Sequence, residues 1–423
     1  MDAISTDFGG RAREETLLLE LFPLVDTIRH AIRNLPRWMQ THSADVGWQF
    51  LPGRARIIYQ PLGVVGIIGA WNYPLLLSLS PMVSALAAGN HVMLKPSELA
   101  PRTADLLARV ISDLFPDQYV TVVTGGQETG AAFASLPFDH LLFTGSTRVG
   151  SLIMGAASAN LTPVTLELGG KSPALVHPDF PARTAAARIM AGKLYNAGQT
   201  CIAPDYVLVS DGARAEFVRR AAEAVTAMYP RLVDNPAFTR IINVDHYRRL
   251  RGLVEDAMLK GAEMMEMNPA HEAANEQNRV FPPTFLWNVS DQMAVMREEI
   301  FGPVLPLVTY HSLDEAIEYV NSRPRPLALY YFDSNSRRVE SVLSRTVSGG
   351  VTVNDTLVHI AQNELPFGGV GPSGMGAYHG FDGFQTFSKK KGVFLQSRFN
   401  TLGLFRPPYS PLARRMIDFL IGR

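Results

Sequence analysis

Between Ala55 and about Gly150 short β-rich runs alternate with helical segments, and this alternation decides what the chain can fold into. The run Ile57, Ile58, Val64, Val65, Ile67, Ile68 reads as strand and is closed by Trp71-Asn72-Tyr73-Pro74. A small-residue helix is expected over Ser80–Ala88, stopped by Gly89-Asn90, a common helix C-terminal signal. Strand His91–Lys95, helix Thr103–Leu114, strand Tyr119–Thr124, helix Thr129–Ser135, strand Leu141–Thr144 and a helix from about Val149 follow in turn. Strands joined by helices of this length make right-handed crossovers and a parallel sheet. A second series begins near Ala174, with helices over Ala182–Tyr195 and Ala213–Met228. Its later strands are expected at Val304–Thr309, Leu327–Phe332 and Val351–Asn354. Ahead of both, Arg11–Met39 carries apolar residues at helical spacing, with a break expected at Pro23.

A chain of 423 residues with 47% hydrophobic content can bury two or three cores. Lys plus Arg number 39 and Asp plus Glu 39, which leaves no electrostatic bias toward nucleic acid. A single cysteine excludes an intramolecular disulfide and suits a reducing, cytoplasmic setting. No secretory leader is visible, and no apolar run approaches the roughly 20 residues of a membrane span. The composition therefore points to a cytoplasmic α/β enzyme.

Cys201 lies in Asn196-Ala-Gly-Gln-Thr-Cys201, a polar, glycine-containing loop after a helix. A lone cysteine is usually a small buried apolar residue, but this loop is poor packing material and a good place to expose a sulfur. Glu167 ends the apolar strand of Thr165-Leu-Glu-Leu-Gly-Gly-Lys171, where a carboxylate is either paired or functional. It precedes the cysteine by 201 − 167 = 34 residues, room for one helix and two loops.

Three glycine motifs could cradle phosphate, and two fail. Gly369-Val-Gly371-Pro-Ser-Gly374 has the G-x-G-x-x-G spacing without the strand–turn–helix context, and Pro372 sits inside it. Gly170-Lys171-Ser172 lacks the glycine five positions earlier, where Thr165 stands. The third, Gly145-Ser146-Thr-Arg-Val-Gly150, follows a strand and opens a helix, so its backbone N–H groups and the Ser146 hydroxyl could meet a pyrophosphate. Lys95-Pro-Ser-Glu98, at another strand end, is either a grip on ribose hydroxyls or a surface pair beside a proline turn. Glu298-Glu-Ile-Phe-Gly-Pro303 is equally open between a site and a strand entry.

Taken together, seven colinear blocks between about Pro61 and Ser388 resemble the aldehyde dehydrogenase superfamily. They are Trp71-Asn-Tyr-Pro74, Leu94-Lys-Pro-Ser-Glu98, Phe143-Thr-Gly-Ser-Thr147, Leu166-Glu-Leu-Gly-Gly-Lys171, Gly198-Gln-Thr-Cys201, Glu298-Glu-Ile-Phe-Gly-Pro303 and Pro366-Phe-Gly-Gly369. Gly371–Gly380, Arg406-Pro-Pro-Tyr409 and Tyr195–Tyr206 are similar to the class 3 branch, closest to coniferyl aldehyde dehydrogenases.

The resemblance implies a Rossmann-like cofactor domain (1–45 and 61–168), an α/β catalytic domain (169–375), oligomerisation strands (46–60 and 389–400) and a tail (401–423). It implies Cys201 as nucleophile, Glu167 as the base for hydrolysis, and the Asn72 amide with the Cys201 N–H as oxyanion donors. Lys95 and Glu98 would take the adenine ribose, Gly145, Ser146 and Gly150 the pyrophosphate, and Glu299 and Phe301 the nicotinamide ribose and ring. The cofactor is NAD, with NADP also admitted, the substrate an aromatic or medium-to-long aliphatic aldehyde, and the assembly a homodimer. No metal is assigned, since His177 and His379 lack ligand spacing. Two rival readings are a cofactor-independent cysteine hydrolase and a non-catalytic structural descendant. Met1–Gly9 resembles an internal stretch of the family, so a helical layer that normally covers the cofactor domain is expected to be missing. The amphipathic pattern of Pro411–Arg423 is expected to dock on a partner subunit rather than on a membrane.

Overall fold

The structure is a computed structural model that describes residues 1–400 and 402–422, so Thr401 and Arg423, the ends of the expected tail, lie outside the described residues. The first α/β series forms a six-stranded sheet. Its order is Gly374–Met375, Val164–Glu167, His140–Thr144, Val64–Ile68, His91–Lys95, Val120–Val122. All pairs are parallel except Gly374–Met375 on Val164–Glu167. The central strands Val64–Ile68 and His140–Thr144 are buried apart from Val64 and carry the apolar stretches Val65–Ile68 and Leu141–Phe143, as a parallel sheet covered by helices on both faces requires. The covering helices are Leu76–Ala87, Pro101–Leu114, Gln127–Ala134 and Thr147–Ser158.

The second series forms a seven-stranded sheet. Its order is Glu263–Glu266, Thr284–Trp287, Val304–Tyr310, Tyr206–Ser210, Pro173–Val176, Ala328–Phe332, Gly350–Val353. Only its first pair is antiparallel. A third, wholly antiparallel sheet joins His42–Ala44, Arg54–Pro61 and Ser388–Leu395. Two strands fall outside the units in which their sequence placed them. His42–Ala44 belongs to the three-stranded flap, and Gly374–Met375 crosses back to the edge of the cofactor sheet.

Pro23 does not break the N-terminal helix. It lies in the helix Phe22–Trp38 directly after the π-helical turn Leu17–Leu21, and the backbone stays right-handed helical across the junction at Leu21 and Phe22. The shift in register is absorbed in that π-helical turn. Further helices stand at Asp2–Phe8, Val244–Leu259, Leu313–Asn321 and Ser336–Arg345. The tail forms the helix Pro411–Leu420, capped by the Ser410 hydroxyl, which accepts from the Ala413 N–H at 3.1 Å. Ala413 is its buried residue, while Leu412, Phe419 and Leu420 face outward. Among the described residues no helix is long and apolar enough to cross a membrane.

Candidate active site

The helix Ala182–Leu194 delivers the chain to Cys201 through a tight left-handed turn. Asn196 and Ala197 both have φ of +52° and Gly198 has +76°. A Cβ on Gly198 would stand 2.3 Å from the Gly302 carbonyl oxygen, so only glycine admits the Glu298–Pro303 segment this close. Gln199 pins the turn: its amide donates to Asn196 O at 2.9 Å and Arg240 O at 3.1 Å, and its side-chain oxygen accepts from the Ile242 N–H at 2.9 Å. Cys201 is half-buried and free. Burial pushes its thiol pKa up, and the charges of Glu299 and Glu167 push it in the same direction.

The loop after strand Val64–Ile68 comes to meet this turn. The Asn72 side-chain amide donates to Gln199 O at 3.1 Å, and the Asn196 amide donates back to Asn72 O at 3.0 Å. The Tyr73 hydroxyl and the Thr200 hydroxyl lie 2.6 Å apart. Two amides therefore clasp the cysteine loop and the asparagine loop together.

Glu167 ends its strand in a dry position, 2% exposed, and neither carboxylate oxygen has a partner. Burial holds its pKa well above the ordinary carboxylate range. The glycine loop rejected as a nucleotide motif closes over this strand end: Leu168 N–H donates to Ser373 O at 3.1 Å, and Gly374 pairs opposite Glu167.

Of the residues expected to hold the cofactor, Lys95, Glu98, Gly145 and Ser146 lie at or just after the C-terminal ends of strands in the same sheet, while Glu299 and Phe301 come from the segment before strand Val304–Tyr310 of the other sheet. Lys95 Nζ, almost fully buried, donates to Glu98 Oε2 at 3.1 Å, and Glu98 remains partly open to solvent. Ser146 caps the helix Thr147–Ser158, its hydroxyl accepting from the Val149 N–H at 3.4 Å. The hydroxyl hydrogen is thus still free to donate to an anion at that helix N-terminus. Gly150 packs the helix on the sheet, since a Cβ there would meet a Leu168 methyl at 2.7 Å. Glu299 reaches the backbone of Gly169 and Gly170, and burial with the Asp205 charge pushes its pKa up to about 8. The Phe301 ring meets Trp71 edge-on, with centroids 5.3 Å apart.

The profile of the "Aldehyde dehydrogenase family" matches residues 2–393. The chain belongs to that family. It is 52% identical to a "Probable coniferyl aldehyde dehydrogenase" of Pseudomonas aeruginosa, over 100% of this chain and 88% of that one. Among solved structures, the substrate-bound state of Staphylococcus aureus AldH is similar with a TM-score of 0.92 at 38% identity, covering 99% of this chain and 90% of that chain. The Mycobacterium tuberculosis aldehyde dehydrogenase complexed with NAD+ has a TM-score of 0.85 at 28% identity, covering 95% and 82%. As a family member the chain oxidises an aldehyde to the acid with a nicotinamide cofactor, NAD or NADP.

This aldehyde dehydrogenase holds its site with residues that sequence reasoning passed over. Lys171 pairs with Asp205 and donates to Val295 O at 2.8 Å and Glu298 O at 3.1 Å, while Asp205 accepts from the Ile300 N–H at 3.0 Å. Arg249 donates to the carbonyls of Glu299 and Ile300. These clamps fix the segment that carries Glu299 and Phe301. Lys193 is fully buried without a hydrogen-bond partner, and burial lowers its pKa to about 8. Glu15 and Glu20 reach the two central loops from the N-terminal helices, and Arg11 does so from the connection just before them. Glu20 carried a readable signal, a charge inside Leu17-Leu-Leu-Glu-Leu21; the others are ordinary charges on a helical pattern.

Proposed function

We propose that Cys201 is the nucleophile, Glu167 the general base for hydrolysis, and the Asn72 amide with the Cys201 N–H the oxyanion donors. The observation that carries this reading is the Glu167 carboxyl, buried and unpartnered at a strand end, close enough that its charge raises the pKa of the only thiol. A carboxyl kept dry, its pKa raised by burial, becomes a base once it has lost its proton and a water molecule reaches it. The thiol gives up its proton to water and the thiolate sulfur attacks the aldehyde carbon. The oxygen of the resulting thiohemiacetal lies between the two donors, each worth about 3–4 kcal/mol in the transition state. The nicotinamide ring, when bound, supplies the acceptor for the hydride that leaves this carbon. Glu167 then takes a proton from water, the hydroxyl attacks the thioester, and the thiolate of Cys201 leaves as the acid forms.

The donor set suits an adenine dinucleotide. Buried Lys95 with the more open Glu98 offers one donor and one acceptor to vicinal hydroxyls, and Glu299 offers a second acceptor deeper in the site. Glu98 favours NAD, because its charge repels a 2′-phosphate. The substrate is an aromatic aldehyde of the coniferyl type, a reading supported by the likeness to the Pseudomonas aeruginosa protein. The enzyme acts in the cytoplasm as a homodimer built on the three-stranded flap and the C-terminal helix. A screen of coniferyl and straight-chain aldehydes with NAD and with NADP tests both choices. The expected outcome is higher kcat/KM for coniferyl aldehyde with NAD. A preference for aliphatic substrates or for NADP overturns the corresponding part.

A further inference from the structure

Three buried charges at the start of the chain take no part in the steps above. Glu15 Oε2 accepts from the Asn196 N–H at 3.1 Å and from the Thr239 hydroxyl at 2.6 Å. Arg11, its guanidinium held between the rings of Phe8 and Tyr73, donates one NH group to Glu20 Oε1 at 2.8 Å and to Asn72 O at 3.0 Å. Glu20 Oε2 accepts the N–H groups of Leu75 at 2.8 Å and Leu76 at 3.3 Å. Two negative groups and one positive group in a dry interior are a costly way to staple helices, and apolar side chains would do that better. What they touch is specific: one ties the turn before Cys201, and the other two tie the loop that carries Asn72. Asn196 and Ala197 occupy left-handed backbone that non-glycine residues rarely adopt, so this turn has to be held from outside.

We propose that Glu15 is a positioning residue for the nucleophile. By gripping the Asn196 N–H it holds the Cys201 loop in its left-handed turn, while Arg11 and Glu20 hold the Asn72 loop against it. The Cys201 N–H and the Asn72 amide thereby converge on one substrate oxygen. The inference rests on the assignment of Cys201 and Asn72 to the chemistry.

Glu15→Met removes the acceptor at similar volume, and Glu15→Gln keeps an oxygen that can serve both donors. Rates are expressed per titratable Cys201 thiol in folded protein, so that lost stability alone does not register. Glu15→Met is expected to lower kcat about 30- to 100-fold, in the range of a displaced oxyanion donor, with KM for aldehyde and cofactor within about 3-fold. Glu15→Gln should keep kcat within about 3-fold of the parent. Should Glu15→Met not fold, Glu15→Asn decides, because its shorter side chain draws the acceptor oxygen away from the Asn196 N–H while remaining polar. That variant should lose about 10-fold in kcat. A kcat within about 3-fold of the parent in the variant that folds overturns the proposal. Cys201→Ala separates the two levels: aldehyde oxidation by it defeats the nucleophile assignment, whereas its inactivity beside a fully active Glu15→Met defeats only the positioning role.

Discussion

Glu167 and Glu299 face Cys201 from different elements, and burial drives both carboxyls toward their protonated forms. Burial raises the thiol pKa as well. All three groups act, or are charged, only after losing a proton, so their raised pKa values put the active form on the alkaline side. We therefore expect kcat/KM to climb between about pH 6 and about pH 9. A flat profile, or one that falls over that interval, contradicts these assignments. Cys201 and Glu167 stood out in the sequence as candidates, one in a glycine-containing polar loop and the other at the end of an apolar strand, while Asn72 entered only through the family resemblance. Arg11, Glu15 and Lys193 did not stand out. Their charges lie on helical patterns that a solvated face would equally produce, and only the packing of distant segments buries them.

Gly374 shows how an element can mislead when read as a motif. It belongs to the G-x-G-x-x-G spacing of Gly369–Gly374, yet it stands at φ +138° in a two-residue strand, where a Cβ would lie 2.1 Å from Leu166 O. Gly374→Ala should cost at least about 1–3 kcal/mol and push that strand off the Val164–Glu167 edge. A lower Tm by calorimetry, together with slower thioester hydrolysis, is the expected result; an unchanged Tm counts against the close approach. The parallel strands at 91–95, 120–122, 140–144, 304–310, 328–332 and 350–353 were found from their apolar runs to within one to three residues, whereas Tyr206–Ser210 and Thr284–Trp287 went unread and Val64–Ile68 was merged with the flap strand Arg54–Pro61. The helices Val244–Leu259, Leu313–Asn321 and Ser336–Arg345 went unread. One had a usable start signal: Ser312 accepts from the Glu315 N–H at 3.2 Å, and Glu315 reaches back to the His311 N–H at 2.7 Å, an arrangement close to a capping box. Pro23 misled for the opposite reason: the π-helical turn before it, which hides from any 3.6-residue pattern, carries the helix on past the proline.

The two α/β sheets meet where the Asn72 loop, the Cys201 turn and the Glu298–Pro303 segment converge, so the site depends on both series being folded. The three-stranded flap lies apart from it, and the C-terminal helix packs beside the flap. Trp48, Leu51, Met416, Phe419 and Leu420 line a cavity of about 280 Å³ there, and Phe394 and Leu395 lie exposed on the flap's last strand. So much apolar surface on one side fits the proposed homodimer. Phe419→Asp and Leu395→Asp together should shift sedimentation from dimer to monomer while Cys201 remains fully titratable. An unchanged sedimentation coefficient places the interface elsewhere. The flap was expected from two strands, and its third, His42–Ala44, has too few apolar residues to be seen in isolation.

The division of labour between Cys201 and Glu167 is the centre of the account, and a trapped intermediate tests it most directly. Glu167→Gln, mixed with coniferyl aldehyde and NAD and quenched in acid, is digested and weighed by mass spectrometry. The account predicts a rapid burst of NADH close to one equivalent, then slow turnover, with the acyl mass on the peptide that contains Cys201. Unimpaired steady turnover without an adduct, or an acyl group on any other residue, would contradict it.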